Sequence, residues 1–123
     1  MKIFIFESLY EASGILCTLS AFHVQEYNRD MAILSTDKVQ AALRTLPGWK
    51  LEGGALVRDR EFADFVTAFA FVTRLALMAE KEGHHPDIDI RYNKVRVALV
   101  SHDAGGITES DAAMATKIQA LAG

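Results

Sequence analysis

Cysteine is nearly absent from this chain. Its single copy, Cys17, cannot close an internal disulfide, and it excludes a zinc site built from cysteines. Such a composition fits a reducing compartment, so a cytoplasmic location is expected. An excess of basic charge is also missing. The formal net charge is −3, which gives no electrostatic reason to expect nucleic acid or an anionic membrane as partner. No apolar run reaches the roughly 20 residues that span a bilayer. Repeats, linkers and low-complexity tracts are lacking too. What remains is globular: 50% of the 123 residues are hydrophobic and 24% charged, enough for one domain with a sizeable core.

The first thirty residues differ from the rest. Lys2 precedes a short apolar run, residues 3–6, which Glu7 and Glu11 then interrupt. A secretory leader needs an unbroken apolar core and a small-residue cleavage site, and neither is present. Met31-Ala32 would serve as a translation start of its own. The folded domain is therefore expected over 31–123, with 1–30 as an extension of little or no role. Intact-mass measurement of protein from the native host tests this, since a mass that includes residue 1 would exclude a start at Met31.

Within the domain, Ser35 or Thr36 can cap a helix that starts at Asp37 and carries Val39, Leu43 and Leu46 on one stripe. Pro47-Gly48 stops it. Residues 49–52 and 55–60 read as strands joined by Gly53-Gly54, a turn in which both positions can take positive φ. A long helix is predicted over 61–81, with Phe62, Phe65, Val66, Phe69, Val72, Ala76 and Ala79 at helical spacing and Gly83 as its stop. Core packing is the expected role of that stripe, ahead of an aromatic binding groove. Ile88, Ile90 and Tyr92, then Val95, Val97 and Leu99, alternate with other residues on either side of Asn93-Lys94 and predict a second hairpin. Thr108 opens a last helix with Asp111 as its capping-box partner and Met114, Ile118 and Leu121 inward. The order is α-β-β-α-β-β-α. That predicts an α+β fold with an antiparallel sheet and helices segregated to one side. An exposed second face or edge would invite self-association.

Three of the four histidines cluster at the ends of predicted elements. His84 and His85 follow the long helix, and His102 lies beyond the last strand. Pro86 biases His85 toward an extended backbone. Glu80, four residues before His84, is placed to accept an imidazole proton and orient the ring. Imidazole, with an ordinary pKa of about 6.5, is the side chain best suited to give and take protons near neutrality. A positioned acid or base contributes ~10²–10⁴-fold in rate. That suits a reaction already feasible in water, not hydrolysis of a peptide or phosphate, and no nucleophile motif accompanies the histidines. Spacing alone leaves three readings open: an incidental His-His pair, an acid/base site, and a His₃ metal site. The last is disfavoured because neighbouring residues direct their side chains apart. Asp111 already has a structural role at a helix start.

The stretch from Glu80 to Asp111 resembles the pterin-4a-carbinolamine dehydratase family. The residues that carry the likeness are Glu80, His84-His85-Pro86, Tyr92, His102 and Asp111. Gly48-Trp49, the Phe-rich helix with Thr73-Arg74 before Ala79-Glu80, Tyr92-Asn93-Lys94-Val95, Gly106 and Thr108 add to it. The likeness covers roughly residues 35–121. One departure is Asp87-Ile88-Asp89, where some members carry aromatic residues; ring-stacking contacts from this loop are therefore not expected.

The resemblance implies a four-stranded antiparallel sheet with three helices on one face. It implies an enzyme, 4a-hydroxytetrahydrobiopterin dehydratase, a hydro-lyase. Such an enzyme expels water from the 4a-hydroxy-tetrahydropterin left by aromatic amino-acid hydroxylases and yields quinonoid dihydropterin. Pterin is then the substrate, with no metal and no cofactor. The implied acid/base pair is His84 and His102, with Glu80 orienting a histidine and Asp111 supporting. His85 would hold the pterin, and Pro86 with Ser101 to Asp103 would line the pocket. Members form homodimers or homotetramers. The alternative is a non-catalytic dimerisation or assembly partner of the same fold, as some relatives are. Degenerate relatives of that kind are expected to lose catalytic histidines, and this chain keeps all three.

Overall fold

Both hairpins read from the alternation are present. In the computed structural model, which describes residues 31–121, β1 (Trp49–Glu52) pairs antiparallel with β2 (Ala55–Glu61) through Gly53 and Gly54, whose φ angles are 59° and 78°. Their lack of Cβ makes these left-handed conformations accessible at no steric cost. β3 (Asp87–Arg91) pairs with β4 (Lys94–Leu99) across Tyr92-Asn93. Tyr92 is itself left-handed, with φ 53°. The Asn93 side chain donates to the Phe62 carbonyl at 2.8 Å and the Phe62 N–H donates back to the Asn93 carbonyl at 2.8 Å, pinning this turn to the end of β2. β2 and β4 pair from Leu56↔Leu99 to Glu61↔Lys94, giving one antiparallel sheet in the order β1-β2-β4-β3.

Three helices complete the predicted order: α1 (Thr36–Arg44), α2 (Phe65–Glu82) and α3 (Glu109–Leu121). Each puts residues into the same core. Val39 comes from α1; Ala68, Phe71, Leu75 and Ala79 from α2; Met114, Ala115 and Ile118 from α3. They meet Leu56, Val95, Val97 and Leu99 of the sheet, so all three helices cover one face. Burying a side chain the size of Phe71 or Leu75 stabilises by about 1.5–3 kcal/mol. The opposite face is charged. Lys50 pairs with Glu52 at 2.8 Å and Asp59 at 3.0 Å, and Arg96 bridges Asp59 and Glu52. Exposed pairs of this kind are worth about 0–1 kcal/mol each.

Three expectations are corrected. Helix α1 starts at Thr36, with Ser35 at the cap position but making no side-chain cap bond. Helix α2 starts at Phe65 rather than near residue 61. Glu61 is still paired in β2, and Asp64 caps the helix by accepting from the Thr67 N–H at 2.7 Å. The predicted stripe is buried only in part: Ala79 is in the core, and Phe62 and Val72 pack against it. Phe65, Val66 and Phe69 are exposed, Val66 by 76%, as is Leu77. The buried face runs through Ala68, Phe71, Leu75 and Ala79, about one residue round the cylinder. The helix is apolar on nearly every side, so period alone cannot select its core face. Residues 1–30, with the extension, the alternative start, Cys17 and His23, lie outside the described residues, as do 122 and 123.

Candidate active site

The C-terminal end of α2 sets the site. Gly83 takes the left-handed conformation at φ 63°, its N–H donates to the Glu80 carbonyl, and the His84 N–H donates to the Ala79 carbonyl at 3.2 Å. This reversal ends the helical rise and turns His84 away from the line of α2. His84 therefore does not stack over Glu80, as four-residue spacing on a continuing helix predicts. Its Nε2 lies 2.7 Å from Oδ1 of Asp111, in the first turn of α3. Glu80 instead meets the next ring: its Oε2 lies 2.8 Å from Nε2 of His85. Glu80 thus orients a histidine, but His85 rather than His84.

Asp111 is fully buried, with 0% exposure. Every donor around it has a place in the chain's local logic. As the predicted capping-box residue it accepts the Thr108 N–H on Oδ2 at 2.8 Å. The Ser101 hydroxyl donates to the same oxygen at 2.9 Å. Ser101 Oγ and Thr108 Oγ1 lie 2.8 Å apart, so the Thr108 hydroxyl can donate to Ser101 in turn. Burial pushes the Asp111 carboxyl up, but hydrogen bonds from His84, the Thr108 N–H and Ser101 outweigh it and hold the carboxyl below its ordinary range. Asp111 is a carboxylate in the fold.

Ser101 belongs to this network rather than to open space. Its hydroxyl is turned inward, its N–H donates to the Gly106 carbonyl at 3.0 Å, and its carbonyl accepts from Ala104 and Gly105. These bonds close a tight loop that carries His102 and Asp103 outward. The described terminus braces the loop's far side. The Leu34 N–H donates to the Ile107 carbonyl at 2.8 Å, and a Cβ on Gly106 would meet Ile33 Cγ2 at 3.1 Å. His102 is 71% exposed, and its Nε2 lies 3.3 Å from Oδ2 of Asp87, the first residue of β3. Pro86 precedes that residue and hands the chain from the histidine pair into the strand. Asp103 is exposed and makes no hydrogen bond among the described residues.

The arrangement is three imidazoles, each facing a carboxylate through Nε2, within two short segments joined by Asp111 and Asp87. Two contributors escaped the sequence reading. Asp87 partners a histidine fifteen residues away, and only strand pairing reveals that; Thr108 was visible as a cap but not as part of a histidine's support. Among the described residues no three His, Cys, Asp or Glu side chains converge as a metal site needs. A broad concavity of about 620 Å³ lies elsewhere, against Asp59, Glu61, Asp89, Arg91, Lys94 and Arg96. Its charges largely pair with one another, and it holds no histidine.

Comparison with known proteins identifies the family. The family model described as pterin 4 alpha carbinolamine dehydratase matches residues 32–121. A protein of Acidobacterium capsulatum, provisionally named pterin-4-alpha-carbinolamine dehydratase, is 55% identical over 91 residues, 74% of this chain and 99% of its own. One of Mycolicibacterium smegmatis with the same provisional name is 52% identical over 91 residues, 74% of this chain and 97% of its own. A crystal structure from Brucella melitensis, titled transcriptional coactivator/pterin dehydratase, superposes with a TM-score of 0.72 at 42% identity, covering 75% of this chain and all of that one. A pterin dehydratase-like protein described as a RuBisCO assembly factor of the alpha-carboxysome superposes with a TM-score of 0.53 at 29% identity, covering 62% of this chain and 90% of that one. On the family match and these identities, the chain belongs to the pterin 4 alpha carbinolamine dehydratase family.

Proposed function

We propose that this protein dehydrates 4a-hydroxy-tetrahydropterin to quinonoid dihydropterin, and so recycles the pterin of aromatic amino-acid hydroxylases in the cytoplasm. The observation that carries the reading is the buried Asp111 carboxylate on His84, beside two further histidines that each face a carboxylate. The reaction needs two proton transfers. A base takes the N5 proton, the freed electron pair closes a C4a=N5 bond, and the C4a–O bond breaks. Hydroxide is a poor leaving group, so an acid protonates it and it departs as water. His84 and His102 are the acid/base pair, and His85, held by Glu80, binds the ring. Pro86, Asp103 and the backbone of the 101–106 loop border the pterin, and Ser101 supports Asp111. No metal and no cofactor take part. Purified protein is expected to accelerate the loss of 4a-hydroxypterin absorbance, with no effect of chelator. A rate equal to the spontaneous one would refute the reading.

A homo-oligomer accompanies this function, a dimer or tetramer. The supporting observation is the exposed apolar face of α2, with Phe65, Val66, Phe69 and Leu77. Sedimentation is expected to give a multiple of the chain mass, and Val66→Glu with Leu77→Glu to reduce it. A monomeric wild type would sink this part. The same face supports the second reading, a partner in assembly, because one structural relative is described as an assembly factor. That reading predicts no dehydration by the wild-type protein, and so the absorbance assay separates the two.

A further inference from the structure

We propose that Nδ1 of His84 is the atom that takes the proton in the reaction, and that Asp111, Ser101 and Thr108 are positioning residues that hold His84 in the required tautomer. The proposal rests on the dehydratase reading for the identity of the substrate, but the tautomer itself is a property of the free protein.

The argument begins at the carboxylate. An ionised carboxylate only accepts hydrogen bonds, so the 2.7 Å contact to Oδ1 requires a proton on His84 Nε2. A neutral imidazole has one N–H, and the lone pair is then on Nδ1. Nδ1 makes no hydrogen bond among the described residues, and the ring keeps 22% of its side-chain surface exposed. The inner nitrogen is occupied and the outer one is open. His85 and His102 also meet their carboxylates through Nε2, but both pairs are exposed, and their rings can turn at little cost. Of the three rings, only that of His84 has a buried partner that is itself fixed by two donors on Oδ2, the Ser101 hydroxyl and the Thr108 N–H.

This asymmetry assigns the base. When Nδ1 takes the N5 proton, His84 becomes an imidazolium whose Nε2–H still points at a buried anion. Low-dielectric surroundings make that attraction larger than at a wet surface. His102, with an exposed partner, is left to protonate the departing hydroxyl. The two rings exchange the proton with solvent to restore the starting state, so the cycle releases one water and leaves no net charge on the protein.

Asp111→Asn separates tautomer from structure. Oδ2 receives the donors from Ser101 and Thr108, so an amide oxygen must take that place and the amide nitrogen must face His84. His84 Nε2 then has to accept rather than donate, and the ring proton moves to Nδ1, where the lone pair was needed. Histidine-¹⁵N spectra of the neutral His84 ring are the measurement. Wild-type protein is expected to show a protonated Nε2 and an unprotonated Nδ1 at His84. Asp111→Asn is expected to show the reverse, with kcat lowered by ~10²–10⁴-fold, the range for one positioned base. Ser101→Ala removes one of the donors while the Thr108 N–H remains. It is expected to keep the wild-type tautomer with less than about tenfold loss in kcat. It also tests the proposal should the asparagine variant not fold. A wild-type His84 protonated on Nδ1, or an asparagine variant retaining both the Nε2 proton and its turnover, would overturn the proposal. Failure of the wild type to dehydrate the pterin would instead remove the reading on which the substrate rests, with the spectra still deciding the tautomer.

Discussion

The pair His84–Asp111 and the pair His102–Asp87 use the same two functional groups and differ in where they lie. The first is 2.7 Å across, with its carboxylate fully buried among other donors. The second is 3.3 Å across, and both its side chains are more than half exposed. A hydrogen bond to an ionised group counts for more where water is excluded, and a buried carboxylate deprived of a donor costs more than an exposed one. The inner pair is therefore part of the fold's integrity. The outer pair is adjustable, as is His85–Glu80. A site with one fixed ring and two yielding ones can hold a proton acceptor in place and still admit a ring-shaped substrate.

The comparison is broken or sharpened first by truncating the histidines. His84→Ala is expected to lower kcat toward the upper end of ~10²–10⁴-fold, and His102→Ala toward the lower end. His85→Ala is expected to raise KM more than it lowers kcat, as the proposed ring-binding role requires. Steady-state turnover of 4a-hydroxypterin measures all three. Equal losses at His84 and His102 would show that burial of the partner carboxylate does not distinguish the two rings. His84→Ala also strips a buried carboxylate of a donor, so a melting curve must accompany its kinetics.

How much of this was legible in the sequence depends on the distance over which each feature is determined. The hairpins could be read because alternation and turn residues are local: Val95, Val97 and Leu99 do face the core, and Gly53-Gly54 does turn. The existence of α2 was local too, but its orientation was not. Phe69 and Phe71 are equally apolar, and only the sheet beneath decides that Phe71 is buried. Among the candidate site residues, His84 pairs with Asp111 and His85 with Glu80, while His102 pairs with Asp87, which the sequence reading did not single out; the pairing was misread at one further point. Counting four residues from Glu80 to His84 assumes that the helix continues, and the left-handed Gly83 ends that relation. Asp111 was visible as a cap. That its second oxygen faces His84 follows from the packing of α3 against the end of α2, which no local pattern encodes.

Smaller effects test the same contrast through stability. Asp111→Ala leaves the Ser101 hydroxyl, the Thr108 N–H and His84 without their acceptor in a buried place. It is expected to destabilise the fold by about 3 kcal/mol or more. Glu80→Ala removes the exposed partner of His85 and is expected to cost under about 1 kcal/mol. Urea unfolding of the two variants measures both, and similar costs would end the distinction between inner and outer pairs. The acid limb refines it further. The Asp111 carboxyl is held below its ordinary range in the folded protein, with burial opposing the shift and His84, Thr108 and Ser101 outweighing it. A depressed carboxyl contributes stability that is fully present above its unfolded pKa of about 3.9 and is lost as pH falls through the folded value. Wild-type stability should therefore fall across that acid window, and Asp111→Asn, which has no proton to gain there, should show a shallower fall. If the two slopes coincide below pH ~4, the carboxylate is not stabilised by its neighbours, and the buried pair is no different in kind from the exposed ones.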